Sequence, residues 1–132
     1  MNIAIIGATG NVGRKTLEVF NKKNFKFDNL YLVASEKSAG KKISFRDKEY
    51  VIENLEIYDF SKADITFFAA GGKIAEKFAE KAAKHTIVID NSSFFRMDPD
   101  VPLIVPQVNA SDIKKMKKNI IANPNCSTAQ LV

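Results

Sequence analysis

A chain of 132 residues, 45% hydrophobic and 27% charged, is long enough to bury one core, and its single cysteine excludes an internal disulfide. No run approaches the roughly 18–20 continuous apolar residues of a membrane span, and Met1 leads into "NIAIIGATG" without the basic and apolar regions of an export signal, so a reducing cytoplasm is expected. The net charge of +5 invites a nucleic-acid reading, but 17 of the 20 basic residues are Lys and only Lys114, Lys115, Lys117 and Lys118 cluster, without interleaved arginines and aromatics; a solvated surface favouring small anions fits better.

Apolar runs of strand length alternate with helical patterns, which predicts an α/β fold: a Rossmann-like, mostly parallel sheet with helices on both faces. "NIAII" (Asn2 to Ile6) is a first buried strand, and "NVGRKTLEVFNKK" follows as a helix with Val12, Thr16, Leu17 and Phe20 at helical spacing. "NLYLVA" is the second strand. "KKISFRDKEYVI" alternates apolar and polar residues about Asp47-Lys48, as a small antiparallel hairpin does, and "DITFFAA" is another buried strand. "KIAEKFAEKAAK" carries Ile74, Phe78 and Ala82 on one stripe of a helix, with Glu80 spaced to support Lys84. "HTIVID" is the next strand. Residues 91–108 hold Pro99, Pro102 and Pro106 without periodicity and read as a long extended loop, a length usually kept for function. "SDIKKMKK" is a short helix with Ser111 as N-cap, and "NIIAN" is a last strand leading to Cys126.

Gly7, Gly10 and Gly13 stand at the junction of the first strand and first helix in the spacing GxxGxxG. In that context one glycine permits a tight turn, another lets backbone approach a pyrophosphate, and a third allows close helix–sheet contact, while the helix N-terminus offers free N–H groups. An NAD site carries an acid at the C-terminal end of the second strand; Asp28 lies at the opposite end. The strand runs instead into "ASEKSAGKK", where Ser35, Lys37, Ser38, Gly40 and Lys41 suit a 2′-phosphate, so NADP is expected over NAD. Glu36 dissents: it either faces solvent or takes a ribose hydroxyl and admits NAD. "NPNCST" places Cys126 after a strand and at a helix start, where the dipole favours an anionic sulfur, on the same sheet edge as the glycine loop.

In order and spacing, "GATGNVGR", "ASEKSAGKK", "DNSSFFRMDPDVPLIVPQVN" and "NPNCST" resemble the N-terminal half of aspartate-semialdehyde dehydrogenase, over nearly the whole chain. The sister family, N-acetyl-glutamyl-phosphate reductase, shares the glycine loop but typically has Gly rather than Asn before the nucleophile. The resemblance implies reversible, NADPH-dependent reduction of L-aspartyl 4-phosphate to L-aspartate 4-semialdehyde, on the route to lysine, methionine and threonine. It implies Cys126 as nucleophile and thioester carrier, Asn125 as a group polarising the carbonyl, and Arg96 as the acyl-phosphate ligand; the alternative for Arg96 is an ion pair with Asp98 or Asp100. Gly7, Thr9, Gly10, Asn11, Val12 and Gly13 would hold the pyrophosphate, and Ser35, Lys37 and Ser38 the 2′-phosphate. Ala70, Gly71, Gly72, Asn91, Ser92 and Ser93 would line the ribose and nicotinamide path. No metal ligand set is assigned. Two departures stand out: many relatives have Arg where Lys37 stands, and Glu is common where Gln107 stands.

The reaction needs a general acid/base, normally histidine. The one histidine, His85, enters "TIVID" at its N-terminal end, about five residues or roughly 17 Å from the active edge, and is expected to be structural. The resemblance places the base, a second substrate-binding arginine and most of a homodimer interface in a C-terminal domain outside residues 1–132, which form the dinucleotide-binding domain. These residues alone are then expected to bind dinucleotide without turnover. The rival readings are a related acyl-phosphate reductase such as N-acetyl-glutamyl-phosphate reductase, and a stand-alone dinucleotide-binding or redox-sensing module whose Cys126 is oxidised.

Overall fold

A computed structural model describes residues 1–132. The expected alternation is present, beginning with β1 (Asn2–Ile6), α1 (Asn11–Lys22), β2 (Asn29–Ala34), then a hairpin of β3 (Lys42–Phe45) and β4 (Lys48–Val51). There follow a two-residue strand β5 (Glu53–Asn54), 3₁₀ turns at Leu55–Ile57 and Phe60–Lys62, β6 (Ile65–Phe68), α2 (Gly72–Ala83) and β7 (Ile87–Asp90). After a long loop come α3 (Pro106–Asn109), a 3₁₀ stretch Ala110–Lys115, β8 (Ile120–Ala122) and α4 (Cys126–Leu131).

Six strands form one sheet in the order β5-β2-β1-β6-β7-β8, with every pairing parallel. Successive side chains of a strand face opposite sides, and β1 divides accordingly. Ile3 and Ile5 pack with Leu17 and Phe20 of α1, whereas Ala4 and Ile6 pack with Ala75, Phe78 and Ala79 of α2. The helices therefore cover opposite faces, and the direction of winding reverses between β1 and β6. In an open parallel sheet that reversal opens a crevice at the carboxyl ends of the strands.

The alanines of α2 explain the close fit on its side: Ala75, Ala79 and Ala82 are fully buried, letting the helix backbone lie near Val88 and Phe68. On α1 the expected stripe is narrower than the spacing suggested. Leu17 and Phe20 are buried, but Val12 is 44% exposed, and the Thr16 hydroxyl donates to the Val12 carbonyl at 2.9 Å. The reason is positional: Val12 borders open hollows beside Phe67 and Ile89, whereas Phe20 of the same helix packs onto Phe67.

Three further local expectations are corrected. The hairpin turns at Arg46-Asp47 rather than Asp47-Lys48, because Lys48 already pairs with Phe45 and the two turn residues take φ of +50° and +63°, as a type I′ turn requires. Glu80 does not meet Lys84; it lies 3.5 Å from Lys118, which also pairs with Asp98. An exposed i,i+4 pair is worth only a few tenths of a kcal/mol and yields readily to a tertiary partner. Ser111 does not cap a helix. Helical structure begins at Pro106, inside the expected loop, and Asn109 holds it with its side chain, accepting from Val105 N–H and donating to the Leu103 carbonyl. The rest of that loop also touches the sheet through a parallel bridge between Leu103 and Ala122. No helix is long and apolar enough to cross a membrane.

Candidate functional site

At the winding reversal a cleft of about 570 Å³ opens between the carboxyl ends of β1, β2 and β6. One wall is Gly7, Thr9 and Gly10. A second is Ala34 with Ser35, Glu36 and Lys37, and the third is Ala69, Ala70 and Ile74; Leu55 and Glu56 of the first 3₁₀ turn close the far end.

The three loop glycines differ in what a side chain would meet. Gly7 takes φ +85°, and a Cβ there would stand 2.8 Å from the Ala69 carbonyl oxygen. A Cβ on Gly13 would lie 2.3 Å from the Gly7 carbonyl oxygen and 2.7 Å from Ala8 Cα, so its bare backbone lets α1 pack onto the loop. Gly10 is different: a Cβ there meets only the Gly7 carbonyl oxygen, at an ordinary 3.4 Å. Nothing within the protein demands a glycine at this exposed position, which is itself part of the cleft lining.

Around this loop the backbone leaves donors open. Gly7 and Ala8 N–H both bond the Val33 carbonyl and Gly10 N–H bonds Gly7, but the amides of Thr9, Asn11, Val12 and Gly13 have no protein acceptor, and no side chain caps α1. The N-terminus of α2 is likewise uncapped behind Gly71 at φ +89°, and neither helix carries an acid in its first turn. Two uncompensated positive helix ends at one sheet edge form an environment for anionic groups.

Beyond Ala69 lies a second hollow of about 230 Å³, bounded by Val12, Thr16, Phe67, Ile89, Asn91 and Asn123. Its rim is braced by side chains. Arg96 donates from Nε to the Asn123 carbonyl at 2.8 Å and from Nη2 to the Asn91 carbonyl at 3.1 Å, and Asn123 donates to Asn91 Oδ1 at 2.6 Å. The ion pair considered for Arg96 is not made. Asp98 pairs with Lys118 and Asp100 with Lys117, so Arg96 keeps Nη1 without a protein partner. Asp98 is held below its ordinary 3.8 by the Asp100 N–H and by Lys118.

Pro124 separates this brace from Asn125, whose Oδ1 accepts from Thr128 N–H at 2.7 Å and caps α4; Cys126, the first helical residue, is exposed. Three strand spacings, about 14 Å, separate the ends of β1 and β8. Among the other expected residues, Ser92 is buried, with its hydroxyl donating to Asp90 at 2.6 Å and accepting from Phe94 N–H. Ser38, Gly71 and Gly72 stand outside the cleft walls, as do Asn11, Val12 and Gly13. His85 is exposed and precedes β7 at its amino end, away from this edge. Asp28 is also at the opposite end, bonded to the Met1 amino group. Sequence reasoning did not identify Leu55, Glu56 and Ile74 as cleft walls. Ile74 alone carried a signal, as an apolar residue two positions after the glycine pair at the start of α2.

A parallel sheet wound in this order, with an uncapped glycine loop at the reversal, defines a dinucleotide-binding domain. The donor-rich loop and the open space over Gly10 fit a pyrophosphate. The chain belongs to the semialdehyde dehydrogenase family, the model of its NAD-binding domain matching residues 2–116. It is 53% identical over 133 residues to the aspartate-semialdehyde dehydrogenase of Aquifex aeolicus, covering 98% of this chain and 39% of that protein. Among solved structures, aspartate semialdehyde dehydrogenase II from Vibrio cholerae complexed with ASA superposes with a TM-score of 0.95 at 48% identity, over 98% of this chain and 43% of that one. The aspartate semialdehyde dehydrogenase of Candida albicans with NADP gives a TM-score of 0.71 at 28% identity, over 99% and 44%. The chain thus spans about two fifths of the length of these relatives.

Proposed function

We propose that residues 1–132 are the cofactor-binding part of a cytoplasmic aspartate-semialdehyde dehydrogenase that uses NADP(H), converts L-aspartyl 4-phosphate to L-aspartate 4-semialdehyde for lysine, methionine and threonine biosynthesis, and is a homodimer at full length. The observation that supports it is the meeting, on one sheet edge, of unpaired glycine-loop amides, the braced Arg96 and the exposed Cys126.

In this reading Cys126 Sγ attacks the acyl carbon, the carbon–oxygen bond to phosphate breaks, and inorganic phosphate leaves as a thioester forms. Arg96 offers Nη1 and the remaining Nη2 hydrogen to the phosphoryl oxygens while its other donors keep the loops after β7 and β8 in place. Asn125 retains both Nδ2 hydrogens for the carbonyl oxygen, because only its Oδ1 is engaged in the cap. Gly7 to Gly13 would cradle the pyrophosphate, and Ser35, Lys37 and Ser38 the 2′-phosphate. When bound, NADPH supplies the hydride that reduces the thioester. The acid/base, the second substrate-binding arginine and the dimer contacts come from residues outside 1–132.

The test is acylation. In the full-length enzyme, exposure to L-aspartyl 4-phosphate leaves a hydroxylamine-sensitive mass increment on Cys126 with equimolar release of phosphate, and Cys126→Ala shows neither. Labelling elsewhere, or none, overturns the assignment of the nucleophile. Competition between NADP and NAD tests the cofactor: equal or tighter NAD binding defeats that part.

A further inference from the structure

The three arginines divide by what their guanidinium groups already hold. Arg46 gives both terminal nitrogens to carbonyls of Phe20 and Phe25, at 2.6 Å each, and lies over the rings of Phe27 and Phe45. Arg96 braces the loops of Asn91 and Asn123. Arg14 donates only through Nε, to the Thr9 carbonyl at 3.1 Å. Neither of its terminal nitrogens has a protein acceptor, and no acid lies within ion-pair distance.

Its position is specific. Thr9 is a wall of the cleft, facing Ser35, Glu36 and Lys37. Arg14 also borders a shallow hollow with Ile43, Ser44 and Phe45 of the hairpin that follows the turn at Ser35–Gly40. It thus lies on the β2 side of α1, between the glycine loop and the segment bearing Lys37. Lys37 is exposed and likewise has no ion-pair partner. Lys37 lines this end of the cleft; Arg14 stands outside the lining, anchored through Nε to Thr9, which is part of it, with its terminal nitrogens free. A lysine presents a point charge, whereas a guanidinium can grip two oxygens of one phosphate.

We propose that Arg14 is a specificity-determining residue that grips the 2′-phosphate of NADP beside Lys37, supplying the planar fork that Lys37 lacks. The proposal rests on the cleft being the dinucleotide site. An arginine near the end of the second strand is a general device for accepting this phosphate, and Glu36 on the same wall disfavours it, which makes a second cation consequential.

Four probes separate the parts: NADPH and NADH, and the fragments 2′,5′-ADP and 5′-AMP, titrated against the chain and Arg14→Gln with native far-UV circular dichroism as the check on folding. Arg14→Gln weakens NADPH and 2′,5′-ADP by about tenfold or more, the loss expected for a charged hydrogen-bond pair, and leaves NADH and 5′-AMP within about twofold. Arg14→Lys recovers only part of the loss, since it restores charge without the fork. A role confined to supporting the Thr9 carbonyl would weaken all four ligands together; that result, or no change in any, overturns the proposal. Folded wild-type chain that binds neither dinucleotide instead overturns the reading of the cleft itself.

Discussion

Gly13→Ala and Gly10→Ala differ by one methyl placed three residues apart, and they separate packing from ligand access. At Gly13 the new Cβ would lie 2.3 Å from a backbone carbonyl oxygen and 2.7 Å from a Cα, neither of which can turn away as a side chain would. Overpacking of this kind costs about 3 kcal/mol at the upper end of its usual range, and alanine's better helix propensity returns about 1 kcal/mol. A net loss of about 2 kcal/mol is expected, or about 7 °C in Tm for a domain of this length. At Gly10, φ −80° and ψ 173° suit any residue, and the 3.4 Å contact is ordinary. The cost is then that of alanine at an N-cap, about 0.5–1 kcal/mol. Differential scanning calorimetry measures the first quantity and calorimetric titration with NADPH the second. Gly10→Ala should lose dinucleotide affinity by more than tenfold while melting within about 4 °C of the wild type. Gly13→Ala melting as high as the wild type, or Gly10→Ala binding normally, would refute the division of roles.

Tyr58 is almost fully buried against Phe60 and Tyr31 and its hydroxyl has no partner; burial pushes its pKa well up. Tyr58→Phe should therefore stabilise the chain by about 1 kcal/mol, seen as a higher urea midpoint; a lower midpoint contradicts the burial argument. Asp98 titrates below its ordinary 3.8, so its contribution to stability is present above that value and is lost as pH falls through the folded value. Lys118, raised above 10.5 first by its bond to Asp98, contributes below 10.5 and stops as pH rises through its folded value. Asp98→Asn should accordingly lower Tm at neutral pH and flatten its fall below about pH 4, with an unchanged acid slope counting against the pair. Residues 1–132 should bind NADPH yet show negligible NADP- and phosphate-dependent oxidation of aspartate semialdehyde, and measurable turnover would place the acid/base within them.

Strands β1, β2, β6, β7 and β8 were legible because each is a short, almost uninterrupted apolar run, which in an alternating α/β pattern has few other readings. The glycine loop was legible for a related reason, since turn chemistry is local. The two-residue β5 was not, as Glu53–Asn54 has no pattern of its own and is a strand only because Val33 and Ala34 present an edge beside it. The far wall of the cleft failed in the same way: Leu55, Glu56 and Ile74 are some twenty residues apart at their extremes and meet only through the fold. The readings that misplaced Ser111 and the Glu80–Lys84 pair each trusted a weak local rule where another interaction was stronger: the local bonds of Asn109 to Val105 and Leu103 in the first case, the tertiary partner Lys118 in the second. Arg96 illustrates the limit differently. Its isolation among lysines marked it, but spacing could not reveal that two of its donors tie the carbonyls of Asn91 and Asn123.

The central place of β1 also bears on how the chain assembles during synthesis. Its partners β2 and β6 join it at Asn29 and Ile65, so β1, which precedes both, waits about sixty residues of synthesis for its second neighbour. At about 5–20 residues per second that is several seconds on a ribosome, during which Ile3 to Ile6 lack half their sheet. Parallel pairings cannot form by a local hairpin, and their non-local contacts make folding slow. The carbonyl that would crowd a side chain at Gly7 belongs to Ala69, just after β6, and the glycine loop therefore takes its final shape only once synthesis has passed that residue.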